Sequence, residues 1–229
     1  MILEICDVGT IPYKKALELQ YELLRRRQNN EISDILLLVE HPPVITRSSR
    51  AKNEHIIVSD AVLREAGISV EKTNRGGEVT YHGPGQLVGY IISNILIKGF
   101  RIVEFVNAIE EVFITMLRDE YSISAMRNNK NRGVWIGSEK ITAIGLAIKK
   151  SVSMHGFAFN VKTNLEHFNY IIPCGMSGRG VTSLEKVTGC SFLMKDVKDR
   201  VIEYFLRIMG YSGKKFVGLN DIHNMDERQ

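Results

Sequence analysis

GVWIGSEKITAIGLAIKKSVSMHGFAFNV, residues 133–161, decides the fold class. It holds three short runs rich in apolar residues, Gly133–Ile136, Ile141–Ile148 and Val152–Val161, each of strand length. Gly137-Ser138-Glu139 joins the first two as a hairpin turn and sets Lys140 at the start of the second strand. Upstream, Arg101–Asp119 repeats Ile102, Phe105, Val106, Ile109, Val112, Phe113 and Met116 at helical spacing. Gln86–Leu96 reads as a central strand. Asp34–Glu40 (DILLLVE) reads as a buried one, ended by His41-Pro42-Pro43, with Val44–Thr46 continuing extended.

Nearer the N-terminus, Ile2–Val8 reads as a strand, and Pro12 opens a helix reaching about Arg27 through Ala16, Leu17, Tyr21 and Leu24. Arg47–His55 reads as a polar loop, Asp60–Ala66 as a short helix closed by Gly67, and Ile68–Lys72 as a strand. A last helix starts with Ser191 as N-cap and buries Val197, Val201, Ile202 and Phe205. The tail after Gly213 is polar and reads as loosely held. Strands and helices mix without regular βαβ alternation, and neither a repeat nor a low-complexity linker interrupts the chain. The expectation is one α+β domain over residues 1–229: a mixed or antiparallel sheet with helices on one face.

Composition narrows the function classes. The chain has 229 residues, 44% hydrophobic and 24% charged, as in a soluble globular protein. Thirty Lys and Arg against 26 Asp and Glu give a net charge of +4. That mild excess fits an acidic protein partner or anionic ligand and does not call for nucleic acid. No stretch approaches the ~20 apolar residues of a membrane span, and the N-terminus reads as a strand instead of a signal peptide. Three cysteines, Cys6, Cys174 and Cys190, argue against a disulfide framework and for a reducing compartment. No Cys/His cluster suggests a metal site.

Three segments read as loop machinery. Arg75-Gly76-Gly77-Glu78-Val79-Thr80-Tyr81-His82-Gly83-Pro84-Gly85 has four glycines, more than two turns need, so it reads as a binding loop where backbone approaches a ligand. It matches neither the phosphate loop nor the dinucleotide fingerprint. Lys140, beside a hairpin, reads on residues alone as a solvated charge. Cys174, between Pro173 and Gly175, sits on a fixed loop, whereas Cys6 lies in an apolar strand and Cys190 precedes the last helix. His155, in a strand, reads as a hydrogen-bonded core residue before it reads as a catalyst, and His41 as a loop-orienting one.

RGGEVTYHGPGQLVGY (75–90), KITAIGLAI (140–148), SMHGFAFNV (153–161), PCGMSGRGVTSL (173–184) and HPPV (41–44) together resemble the octanoyltransferases of lipoate biosynthesis over roughly residues 31–190. The resemblance implies the catalytic fold of biotin and lipoate protein ligases. It implies transfer of an octanoyl group from acyl carrier protein to a lysine on lipoyl domains of 2-oxoacid dehydrogenases or the glycine cleavage H protein. That is the first step of endogenous lipoate synthesis, in the cytoplasm and without a cofactor. Cys174 matches the family's acyl-thioester cysteine and Lys140 the lysine that lowers its pKa. Arg75, Gly76, Gly77, Glu78, Val79, Thr80, Tyr81 and His82, then Ala143, Ile144 and Gly145, then Gly156, Phe157 and Ala158, match its substrate-binding segments. One departure is Ile45-Thr46-Arg47-Ser48-Ser49-Arg50, where the family usually has a glycine-arginine pair.

The chemistry expected is a Cys174 thiolate held by Lys140, an oxyanion held by N–H groups of Gly76-Gly77 or near Gly175, and an acyl slot opened by Gly145 and Gly156. Three rivals stand beside it: an ATP-dependent lipoate or biotin ligase, a thioesterase or amidase pairing Cys174 with His82 or His155, and a non-catalytic carrier-binding module.

Overall fold

The computed structural model describes residues 1–51, 53–128, 130–172 and 180–223. In chain order the elements are β1 (Ile2–Thr10), α1 (Tyr13–Gln28), β2 (Ile35–Glu40), β3 (Val44–Ser48), α2 (Asp60–Glu65), β4 (Ser69–Thr73), β5 (Val79–His82) and β6 (Gln86–Ile92). They continue with α3 (Ile102–Tyr121), β7 (Met126–Arg127), β8 (Gly133–Ile136), β9 (Glu139–Lys149), β10 (Val152–Asn160), α4 (Leu184–Thr188), α5 (Met194–Met209), β11 (Gly213–Phe216) and α6 (Leu219–His223). Eight strands form one sheet in the order β11-β1-β2-β6-β10-β9-β8-β7, and β4-β3-β5 form a smaller one. Strand β1 runs parallel to β2 and β11, and the other neighbours in the large sheet are antiparallel.

The central strands of the large sheet, β2, β6 and β10, are buried on both faces, which corrects the expectation of helices on one. Leu36 and Leu38 of β2 point into a core with Phe105, Ile109 and Phe113 of α3 and Val201 and Phe205 of α5. Ile35, Leu37 and Val39 point the other way, against Ala16, Leu19 and Leu23 of α1. A strand covered on both sides has no polar face, so ILLLV reads as an unbroken apolar run. Strand β10 behaves alike, with Phe157 and Phe159 in the first core and Met154 and Ala158 in the second. Between β9 and β10 the turn is two residues, Lys150 and Ser151, both at positive φ, as a type I′ hairpin requires.

Three other expectations change. The helix expected to start at Ser191 begins at Met194, with no side-chain cap. The preceding stretch is drawn out because Glu185 of α4 accepts the Phe192 N–H at 3.3 Å and the Phe192 ring meets Tyr121 edge-on. The tail after Gly213 is tied down through residue 223. Strand β11 pairs with β1, Val217 N–H donates to the Ile5 carbonyl, Arg26 donates to the Ile222 carbonyl, and Val217 and Ile222 are buried. The loop expected over Arg47–His55 is shortened at its start, because β3 runs to Ser48.

Candidate active site

A cavity of about 700 Å³ is bounded by the glycine-rich segment, by β6, β10 and β9, and by Ile102 and Val106 of α3. On β6 alternation decides who enters it: Gln86, Val88 and Tyr90 line it as every second residue of a strand would. Gly156, Ala158 and Asn160 of β10 line it as well. Arg75 through Thr80 and His82 line it, as do Lys140, Ala143, Ile144, Gly145, His155 and Phe157. Tyr81 is the predicted residue that the fold keeps out. On β5 it alternates with Thr80 and His82, lies in the small sheet's own core, and donates or accepts with His167 Nδ1 at 2.8 Å. Burial pushes its hydroxyl up to about 12. Cys174 lies outside the described residues, with Pro173 and Gly175.

The glycine-rich segment closes over the edge of β9. Strand β8 pairs with β9 only as far as Gly133 opposite Ala143. Beyond it, Gly76 N–H donates to the Leu146 carbonyl at 2.9 Å. Strand geometry turns the N–H and C=O of alternate residues to the same edge, so those of Ile144 face outward between these two attachments. Because its N–H is spent on Leu146, Gly76 does not serve as the expected oxyanion donor. Gly145 and Gly156, paired across β9 and β10, do not leave an acyl slot either. A Cβ on Gly145 would stand 2.8 Å from the Gly76 carbonyl oxygen, and one on Gly156 would stand 2.1 Å from that of Gly89. The two glycines admit neighbouring backbone. The apolar lining comes instead from Val88, Ala143, Ala158, Ile102, Val106 and Ile148.

Arg75 is set by the segment whose sequence departs from the family. Its Nη2 donates to the Thr46 hydroxyl at 2.8 Å and to the Thr46 carbonyl at 3.0 Å, and its Nε reaches the same hydroxyl at 3.2 Å. Thr46, on β3, is fully buried and thus supplies a fixed anchor. Ser48 Oγ donates to the Gly77 carbonyl at 2.6 Å, so β3 fixes two successive parts of the loop.

Two histidines, His82 and His155, line the cavity, and the His41 ring lies 5.8 Å from that of His82. His41 Nδ1 donates to the Ile11 carbonyl at 2.8 Å, which leaves Nε2 to accept from the Tyr90 hydroxyl at 2.6 Å. His82 Nδ1 donates to Gln86 Oε1 at 2.7 Å, because the Gln86 amide nitrogen is turned to Asn160 Oδ1 at 2.8 Å. Asn160 in turn donates to the Thr182 carbonyl at 3.0 Å, carrying the network to the segment beside Lys140. His155 adopts a φ of +59°, rare for a residue with a side chain, and is held there by Gln20 Oε1 on its N–H and Asn74 Oδ1 on Nε2. Burial lowers His41 to about 4 and, aided by Arg75, His155 to about 3; burial and then His41 hold His82 well below 6.5.

These histidines fold neutral and unfold with ordinary pKa values near 6.5. Below 6.5 the unfolded chain binds protons that the folded one does not, so stability is complete above that pH and drains away as pH falls toward 4. His41 and His155 should each remove about 2 kcal/mol between pH 7 and pH 5, and His82 adds a loss of the same sign. Urea midpoints measured at pH 7, 6 and 5 should fall steeply, and equal midpoints would contradict a neutral buried cluster.

Lys140 is the second residue of β9, where sequence put it, but it is not a solvated charge. Its Nζ donates to the Arg132 carbonyl at 3.1 Å and stands 4.9 Å from the centre of the Trp135 ring. Its backbone is bracketed by Gly180 and Thr182: Lys140 N–H donates to the Gly180 carbonyl, and Thr182 N–H to the Lys140 carbonyl, both at 3.0 Å. Tyr13, Asn160 and Trp135 line the cavity without having been singled out from sequence. Tyr13 and Trp135 belong to apolar patterns, and nothing in sequence separates Asn160 from a strand-end polar residue.

A family model described as the lipoyl protein ligase A/B catalytic domain matches residues 12–206. An octanoyltransferase of Desulforamulus reducens is 50% identical over 211 residues, covering 92% of each chain. One from Caldicellulosiruptor saccharolyticus is 49% identical over 226 residues, covering 98% of this chain and 96% of its own. Among solved structures, a lipoate-protein ligase A bound with ATP superposes with a TM-score of 0.75 at 16% identity, covering 99% of this chain and 94% of its own. That likeness bears out the expected fold.

Proposed function

The chain belongs to the lipoyl protein ligase A/B catalytic-domain family, and from that premise we propose that it is an octanoyltransferase acting through a thioester on Cys174. Its near relatives carry that activity in their names over almost their whole length. The donor is octanoyl-acyl carrier protein. The acceptor is the lysine of a lipoyl domain, on a 2-oxoacid dehydrogenase subunit or the glycine cleavage H protein. The reaction runs in the cytoplasm; among the described residues no helix is long and apolar enough to cross a membrane.

The observation that carries the mechanism is the bracketing of Lys140. Gly180, six residues after Cys174 in sequence, lies beside it, and Ile172, two residues before Cys174, donates its N–H to the His55 carbonyl at 2.9 Å. A residue close to Cys174 in sequence thus lies against the lysine, which supports pairing the two. The remaining cysteines do not suit the role. Burial raises Cys6 to about 11, and Cys190 is exposed and does not line the cavity.

In the first half-reaction the Cys174 thiolate attacks the carrier thioester. One C–S bond forms, the other breaks, and the carrier leaves as a thiolate that takes a proton from the Lys140 ammonium, which leaves that amine neutral for the second step. In the second, the acceptor amine attacks the Cys174 acyl carbon. The C–N bond forms, C–S breaks, and the amine's proton passes to Lys140. Exchange between thioesters is close to neutral and thioester to amide is downhill, so ATP is not consumed. Burying about six methylenes of the chain against Val88, Ala143, Ala158 and Val106 contributes roughly 5 kcal/mol of binding.

Incubation with octanoyl-carrier and a lipoyl domain, without nucleotide, should yield octanoylated acceptor and an acyl adduct on the Cys174 peptide. Transfer that requires ATP would point to an adenylate-forming ligase instead. Free octanoate as the product, with the acceptor unmodified, would point to a thioesterase.

A further inference from the structure

Helix α3 carries an acid on its apolar stripe. Glu110 stands four residues after Val106 and three before Phe113, and is fully buried. A buried carboxylate is costly unless every oxygen is engaged, so its partners indicate its use. One oxygen accepts the Gly133 N–H at 2.9 Å, and the other faces Arg132 Nη1 and Arg127 Nε, each at 3.4 Å. Arg132 Nη1 also donates to Asn107 Oδ1 at 2.7 Å, and Arg127 to the Asn107 carbonyl and the Glu111 carboxylate. Helix α3 thus clamps the chain at Arg127, Arg132 and Gly133.

Lys140 rests on two of those clamped residues. Its ammonium donates to the Arg132 carbonyl. Its stem crosses Gly133, where a Cβ would lie 3.3 Å from both Cδ and Cε of the lysine and 2.4 Å from the Thr142 carbonyl oxygen. Gly133 holds a φ of +131°, open to glycine alone among common residues. Shifting Arg132-Gly133 by a fraction of an ångström would move the lysine's acceptor and obstruct its path.

We infer that Glu110 is a positioning residue for Lys140: by fixing the Gly133 N–H and the Arg132 side chain from α3, it holds the carbonyl and the gap that aim the ammonium into the cavity. This rests on Lys140 being the partner of Cys174, and the test keeps the two ideas apart. The readout is the rate of Cys174 alkylation by iodoacetamide against pH, in Cys6→Ser/Cys190→Ser protein, with folding checked by circular dichroism. Lys140→Ala should move the alkylation midpoint upward and slow the reaction at pH 7 by roughly tenfold or more. Glu110→Ala should move the midpoint the same way, and Glu110→Gln, which can still accept from Gly133, should largely restore it. In a Lys140→Ala background, Glu110→Ala should add nothing, because both act through one group.

If Glu110→Ala does not fold, Glu110→Asp serves, since its shorter carboxylate falls short of Gly133. A folded Glu110→Ala or Glu110→Asp variant with the parental midpoint, or one that shifts it equally without Lys140, would overturn the inference while leaving the Lys140 reading intact. An unshifted Lys140→Ala midpoint would overturn both.

Discussion

Cys174→Ser protein should lose octanoyl transfer by at least about 10³-fold while remaining folded. The hydroxyl that replaces the thiol ionises far outside the physiological range, so neither proton removal by a neighbouring amine nor a change of pH restores a nucleophile. The loss should appear in kcat, with the KM for the donor nearly unchanged, because the apolar lining that holds the acyl chain is not altered. Lys140→Ala should be milder. A free thiol is only about 3% ionised at pH 7, so full ionisation is worth about 30-fold, and part of that loss should return as pH rises toward 9. Mass spectrometry of protein quenched during turnover separates the two variants: the lysine variant accumulates the acyl adduct slowly and the serine variant forms no thioester. A serine variant that transfers octanoate at a rate near the parent's would mean that the acyl group never rests on this sulfur.

Gly156→Ala should unfold more readily by about 3 kcal/mol or more, lowering Tm by roughly 6–12 °C. The added methyl would stand 2.1 Å from the Gly89 carbonyl oxygen and 3.2 Å from its carbon. Those are ladder atoms of β6, which no rotamer change can move aside. The neighbouring strand is also fixed, since a Cβ on Gly89 would meet the Phe157 ring at 2.1 Å. Gly180→Ala is the control. Its Cβ would meet the Glu139 carboxylate at 3.1 Å, the far end of a flexible side chain, and the expected cost is within about 0.5 kcal/mol. Thermal denaturation of the two variants measures the contrast directly, and equal melting points would show that β6 and β10 can separate without loss.

The fold was legible where pattern and burial agree. Strand β2, helix α3 and the β8–β9 hairpin stand almost where their residues place them, because an apolar run, a helical stripe and a Gly-Ser turn each act locally. What sequence does not encode locally is sidedness. The stripe of α1 says that one face is buried, and only the assembled sheet says which of its faces receives it. The four-residue strand β5 was hidden among glycines, and with it the alternation that sends Thr80 and His82 inward and Tyr81 outward. Glu110 did carry a signal, an acid at i+4 from one apolar stripe residue and i−3 from another. Lys140 did not, since the groups that take it out of solvent, Arg132 and Gly133, lie on the preceding strand and loop.

Main chain alone ties the glycine-rich segment to β9, through the Gly76 N–H on the Leu146 carbonyl at 2.9 Å. Exchanging the Leu146 side chain therefore leaves that tie intact, and only removal of the N–H itself, as by proline at position 76, would erase it.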